Sequence, residues 1–249
     1  MNARALDAYR RRIGDDGPLA PDLPTLRRLH RRHMLAIPFE NLDPVRGVPV
    51  SADPSDAFAK IVERGRGGWC FEMNGLFGEV LDSIGFAVDQ VGAKVAADEP
   101  GEITHRALIV HLEGPWLADV GFGFGPLEPL PLREGATDLA GGTFRLSKRG
   151  ETWRLQPPGE APYYVFVAAA QTQAAFDTAS RVFVERKAAP LFTAPFVVRA
   201  LDDGYISLRD AQFRHWSGGA VVEERELEGP AAVRDALIER FALPDDLTF

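Results

Sequence analysis

The chain has 249 residues, 45% hydrophobic and 26% charged, which allows a large folded core and excludes global disorder. Lys and Arg number 28 against 36 Asp and Glu, and the resulting net charge of −8 argues against a nucleic-acid binder, since neutralising phosphates needs a basic face. The one cysteine, Cys70, rules out an internal disulfide and a cysteine-based zinc site. No apolar run follows the basic start as in a secretory signal, and no stretch reaches the roughly 18–20 apolar residues that span a bilayer. The expectation is a cytoplasmic enzyme or binding protein that touches neither membrane nor nucleic acid.

The first 85 residues read as helical. Leu6, Tyr9 and Ile13 share one helical face before Gly14. Asp22 caps a second helix with Pro24 in its first turn, where Leu26, Leu29, His30, His33, Met34 and Ile37 recur at 3–4 spacing until Pro38. Ser55 is a cap for a third helix, and Gly65 is its C′ residue. A fourth helix starts at or near Cys70, is buried along one side through Met73, Leu76, Phe77, Val80, Leu81 and Ile84, and stops at Gly85. From Phe86 the period changes to 2, and strands are expected over 86–95, 104–112, 116–122, 143–147, 151–156 and 163–168. A hairpin over 196–201 and 205–209, a strand over 219–227 and a last helix opened by Pro230 follow. Helices followed by strands indicate an α+β architecture.

Cys70 follows Arg66-Gly67-Gly68-Trp69 at the expected start of a helix. There the positive end of the helix dipole favours a thiolate, and free first-turn N–H groups can hold an oxyanion. The bland alternative is a buried, inert cysteine. A thiol nucleophile needs a histidine to take its proton and a third group to orient that histidine. Of five histidines, His105 opens a strand; His30 and His33 read as packing or surface residues, and His111 as exposed. Asp119, interrupting an apolar strand, is the candidate orienting carboxylate, because a buried Asp needs a partner. A plain hairpin turning at Glu113-Gly114 places Asp119 opposite about residue 108, several positions from His105. The two meet only if twist, a bulge or another strand order intervenes.

The segments Arg-Gly-Gly-Trp-Cys-Phe-Glu-Met-Asn (66–74), Thr-His-Arg (104–106), Asp-Val-Gly-Phe-Gly (119–123), Ile-Pro-Phe-Glu-Asn-Leu-Asp (37–43) and Tyr-Arg-Arg-Arg-Ile-Gly (9–14) together resemble the arylamine N-acetyltransferase family. The resemblance implies an N-terminal helical bundle, a central β-barrel and a C-terminal α/β lid around a papain-like cysteine-enzyme core. The corresponding expected division is 1–85, 86–190 and 191–249. It implies acetyl transfer from acetyl-CoA through a Cys70 thioester to an arylamine or arylhydrazine, with no permanently bound cofactor and no metal. His105 would be the base and Asp119 its orienter. Arg66 and Glu40 would form a salt bridge bracing the loop, and Phe39, Val95, Thr104, Gly121 and Phe122 would line the substrate pocket. The match fades beyond about residue 157, where Ala189-Pro190-Leu191-Phe192 stands in for a family Pro-x-Ser-x-Phe stretch without the serine. An amide synthase of the same family acting on a longer acyl or polyketide chain therefore remains open. So do a papain- or transglutaminase-like hydrolase and a non-catalytic binding protein.

Overall fold

The computed structural model describes residues 1–139, 142–157, 163–186 and 193–246. Helix α1 (Ala3–Ile13) is capped by the Asn2 side chain and ends at Gly14 in the left-handed region, and α2 (Leu23–Ala36) starts at the Asp22 cap, as expected. The short strand β1 (Phe39–Glu40) and the turn α3 (Leu42–Val45) follow. The third helix differs from expectation at its start. Asp53, not Ser55, is the cap of α4 (Pro54–Phe58), because Pro54 takes the first helical position and the Asp53 carboxylate accepts from the Ser55 N–H. A π-helical turn, Ala59–Glu63, extends it.

Helix α5 (Cys70–Ile84) ends at Gly85, also left-handed. It is buried all round through its first nine residues, not along one side only, because the helices pack on one flank and the sheet on the other.

Among the described residues the strands form two sheets. The larger runs in the order β5-β4-β3-β2-β9-β8-β7-β6 and curls into a near-closed barrel. Its strands are β2 (Ala87–Val95), β3 (His105–His111), β4 (Pro115–Ala118), β5 (Leu130–Pro131), β6 (Gly135–Leu139), β7 (Gly142–Arg149), β8 (Thr152–Gln156) and β9 (Tyr164–Ala170). Val91, Ile109, Leu117, Phe144, Leu155 and Phe166, from six of these strands, meet in one apolar core, which is what closes the sheet on itself.

The expected strand over 116–122 stops at Ala118, for a reason that lies at the site. Helix α6 (Gln173–Arg186) has no counterpart in the sequence reading. The second sheet, in the order β1-β10-β11-β12-β13, contains β10 (Phe196–Leu201), β11 (Gly204–Arg209), β12 (Gln212–Ser217) and β13 (Ala220–Glu226). Strand β12 occupies a stretch that reads as weakly patterned. The final helix α7 (Gly229–Glu239) packs Leu237 on this sheet, together with Phe241 just beyond it. Strand β1 pairs with β10, so an N-terminal segment completes a C-terminal sheet. No helix among the described residues is long and apolar enough to cross a membrane.

Candidate active site

The chain entering α5 is held from two sides. Glu40 N–H donates to the Gly68 carbonyl (2.9 Å) and Gly68 N–H to the Pro38 carbonyl (3.2 Å), so the loop lies against β1. A Cβ at position 67 would sit 2.2 Å from the Pro38 oxygen, which no side chain can do and which explains the glycine. From the other side, the Arg12 guanidinium donates to the carbonyls of Gly65 (3.2 Å) and Arg66 (3.3 Å).

Beneath the loop lies a cluster of five charges, with Glu40, Lys60 and Glu72 buried and Asp43 and Arg66 part-buried. Arg66 bonds Glu40 Oε1 (2.7 Å), as the resemblance implied, and also Asp43 (3.1 Å). Lys60, which the sequence reading did not single out, reaches Asp43 (2.8 Å), Glu72 (3.0 Å) and Glu40 (3.5 Å). Glu72 in turn accepts from the Trp69 N–H (3.0 Å), the residue before Cys70. Burial lowers the Lys60 affinity for its proton, but three carboxylates outweigh it and hold the ammonium charged. Burial and the neighbouring Glu40 push the Glu72 carboxyl up to about 7, against the pull of Lys60.

Cys70 opens α5 and directs its sulfur toward the Thr104 carbonyl (3.9 Å) at the foot of β3. His105, the next residue, bonds Asp119 Oδ2 through Nε2 (2.7 Å) and interacts electrostatically with the Cys70 side chain. The three residues therefore converge, with His105 and Asp119 almost wholly buried. Burial alone would depress the imidazole; the Asp119 charge and hydrogen bond, with a smaller contribution from nearby Cys70, raise it to about 10. Asp119 is held low: burial opposes ionisation, but the imidazolium, Asn74 and the Gly121 N–H outweigh it.

How Asp119 reaches His105 explains the short β4. Ala118 still pairs with Leu108, but the Asp119 N–H donates to His30 Nε2 (3.1 Å) instead of to a strand, while His30 Nδ1 donates to the Leu127 carbonyl (3.0 Å). Burial lowers His30 to about 4, so it stays neutral and can accept that bond. Asn74, one turn along α5 from Cys70, donates to Asp119 Oδ1 (2.8 Å) and accepts from the Val120 N–H (2.9 Å). The chain then passes so close to α5 that a Cβ on Gly121 would lie 2.8 Å from Cys70 Cα. His30, which reads as a packing or surface residue in the sequence, takes the Asp119 N–H where the strand ends, and Asn74 is not singled out there. His111 is exposed, paired with Asp89.

Cys70 and His105 open onto a cavity of about 690 Å³. Phe39, Val95, Thr104, Gly121 and Phe122 all stand on its wall. The unexpected α6 supplies the opposite side through Ala179, Val182 and Phe183, joined by Phe124 and Phe196. Ala189-Pro190-Leu191-Phe192 lies outside the described residues. No group of His, Cys, Asp and Glu among the described residues could hold a metal ion. An imidazole set between a thiol and a buried carboxylate can move a proton to and from sulfur beside an apolar chamber.

A family profile described as N-acetyltransferase matches residues 22–247. The arylamine N-acetyltransferase of Mycolicibacterium smegmatis is 35% identical over 256 residues, covering 97% of this chain and 92% of the relative. The chain belongs to the arylamine N-acetyltransferase family. The structure of Mycobacterium marinum arylamine N-acetyltransferase in complex with CoA superposes with a TM-score of 0.89 at 34% identity, over 96% of this chain and 92% of that one. A proansamycin X synthase of Amycolatopsis mediterranei is 32% identical over 184 residues, 70% of each chain. The full-length likeness is thus to arylamine N-acetyltransferases, and the match to a synthase is shorter. The helices, barrel-like sheet and second sheet are the α+β architecture of this family.

Proposed function

We propose that this protein moves an acetyl group from acetyl-CoA to the nitrogen of an arylamine or arylhydrazine, with Cys70 as the acyl carrier, His105 as proton carrier and Asp119 as its orienter. The observation that carries the assignment is the His105 imidazole, bonded to the buried Asp119 and standing with Cys70 on the wall of one cavity.

In the first half-reaction the Cys70 sulfur attacks the thioester carbonyl. The amides of the first turn of α5 lack intrahelical acceptors and stabilise the oxyanion. Coenzyme A leaves with a proton from the His105 imidazolium, and acetyl-Cys70 remains. Acetylation removes the cysteine charge that helped hold the imidazolium protonated, so the His105 left after coenzyme A departs stays neutral and free to take the amine's proton. The amine then attacks the acetyl carbonyl, His105 takes its proton, and the thiolate departs. An arylamine is uncharged at neutral pH, which suits a chamber walled by Phe122, Phe124, Phe183 and Phe196. Thioester exchange between two thiols is nearly isoenergetic and needs no resident cofactor.

Phe39, Val95, Thr104, Gly121 and Phe122 are assigned to substrate contact, and Glu40 with Arg66 to bracing the loop. The division 1–85, 86–190 and 191–249 is kept as the working description of the chain. With acetyl-CoA as donor, the cytoplasm is the assigned compartment. The test is a panel of arylamines and hydrazines with acetyl-CoA and longer acyl-CoAs. The expected result is ping-pong turnover of arylamines with acetyl-CoA. A burst of coenzyme A release with turnover of no arylamine would favour the amide-synthase reading instead.

A further inference from the structure

Arg106 follows His105 on β3 and is fully buried, at 0% exposure. Among the described residues no carboxylate pairs with it. Its Nη1 donates to the carbonyls of Ala52 (3.0 Å) and Phe71 (3.2 Å), and its Nη2 to the side-chain oxygens of Gln173 (3.0 Å) and Gln90. The guanidinium lies 4.4 Å from the centre of the Phe176 ring. Every acceptor is neutral, and Nε has none. Burying a cation this way is costly unless a charge nearby compensates it. The charges that face it are those of Asp177, Cys70 and Asp53, of which the two aspartates are exposed to solvent. Cys70 is buried, and the Phe71 carbonyl that Arg106 bonds belongs to the next residue along α5.

We propose that Arg106 is a positioning residue whose buried charge balances the ionised Cys70. This rests on Cys70 being the nucleophile. With Cys70 and Asp119 ionised and His105 protonated, the buried triad carries one net negative charge; Arg106 cancels it. The other charges packed against the start of α5 are Glu72, Glu40, Asp43, Lys60 and Arg66, which are paired among themselves. Burial brings the Arg106 guanidinium down to about 10, with the three facing charges opposing, so it keeps its proton at neutral pH. The same side chain ties the nucleophile's helix to the pocket wall, through Phe71 on α5 and through Gln173 and Phe176 on α6.

The experiment measures the rate at which iodoacetamide alkylates Cys70, the only cysteine, against pH in the full chain, with thermal melts alongside. Arg106→Gln removes the charge. Gln90→Glu keeps the acceptor and the volume but sets a carboxylate against Arg106, so it neutralises the cation even if the first variant folds poorly. Both are expected to raise the pH midpoint of alkylation by about one unit and to slow alkylation near pH 6 about tenfold. Arg106→Lys is expected to stay near the parent. Midpoints unchanged in Arg106→Gln and Gln90→Glu would overturn the proposal and leave Arg106 a structural brace. A parent protein that alkylates near pH 6 no faster than a free thiol would overturn the assignment of Cys70 itself, and this proposal with it.

Discussion

Two groups of buried charge meet at the start of α5 and are built for different ends. In the cluster of Glu40, Asp43, Lys60, Arg66 and Glu72, the two cations are shared among three carboxylates, and Glu40 and Glu72 also accept from backbone N–H groups at Leu42 and Trp69. The cluster fixes where the loop runs. The group of Cys70, His105 and Asp119 is fixed only on its far side, where Asn74, the Gly121 N–H and His30 hold Asp119 in place. Its near side, Cys70 and His105, faces the cavity. The difference shows what a buried charge can be kept for: full mutual pairing gives position, and a pair with one side open gives chemistry.

The comparison breaks most sharply at Asp119. Asp119→Asn is expected to lower acetyl transfer at neutral pH by roughly 10³–10⁴-fold while circular dichroism stays that of the folded parent, because the imidazole loses both its orientation and the charge that raises it. Lys60→Met is expected to do the reverse. Removing the shared cation leaves buried Glu72 without a cation and Glu40 and Asp43 with Arg66 alone, and costs about 3–5 kcal/mol, read as a fall in Tm of roughly 10 °C. The chemical step of the protein that remains folded should change far less. An Lys60→Met protein as stable as the parent would contradict the bracing role.

The smallest effect separates the two groups by pH. His105 and Glu72 both bind a proton more tightly folded than unfolded, so each contributes stability at low pH that is lost as pH rises. For Glu72, with a folded value of about 7, the loss falls between about 4.5 and 7; for His105, at about 10, it falls between about 6.5 and 10. Glu72→Gln should flatten the acid-side slope of Tm against pH, and His105→Gln the alkaline-side slope. Identical profiles in the two variants would contradict the division.

Where local rules decide an element, the sequence reading and the structure coincide. The Asp22 cap, the stops at Gly14 and Gly85 and the start of α5 at Cys70 each follow from a residue's own backbone preference. Where a distant residue decides, the reading missed. Strand β4 ends because His30, 89 positions away, takes the Asp119 N–H, and periodicity within 116–122 carries no trace of that. Helix α6 was hidden by Val182 and Val184, which suit a strand as well. Its signal was Thr172, whose hydroxyl accepts from the Ala175 N–H ahead of Phe176, Ala179 and Phe183. Cys70, His105 and Asp119 were each legible as candidates from their place at the end or within an element, while their convergence and the Glu40–Arg66 pair came from motif resemblance. Lys60 was legible only as a polar residue in a helical stretch, and Glu72 and Asp43 only as members of the 66–74 and 37–43 motifs.

The central claim is that the acetyl group rests on Cys70 between its two transfers. Intact-protein mass spectrometry after mixing with acetyl-CoA, without acceptor, tests it most directly. The account predicts a gain of one acetyl group per chain, mapped to Cys70 in the peptide digest, discharged on adding an arylamine and missing from Cys70→Ala. An acetyl group found on another residue, or normal turnover by Cys70→Ala, would contradict it.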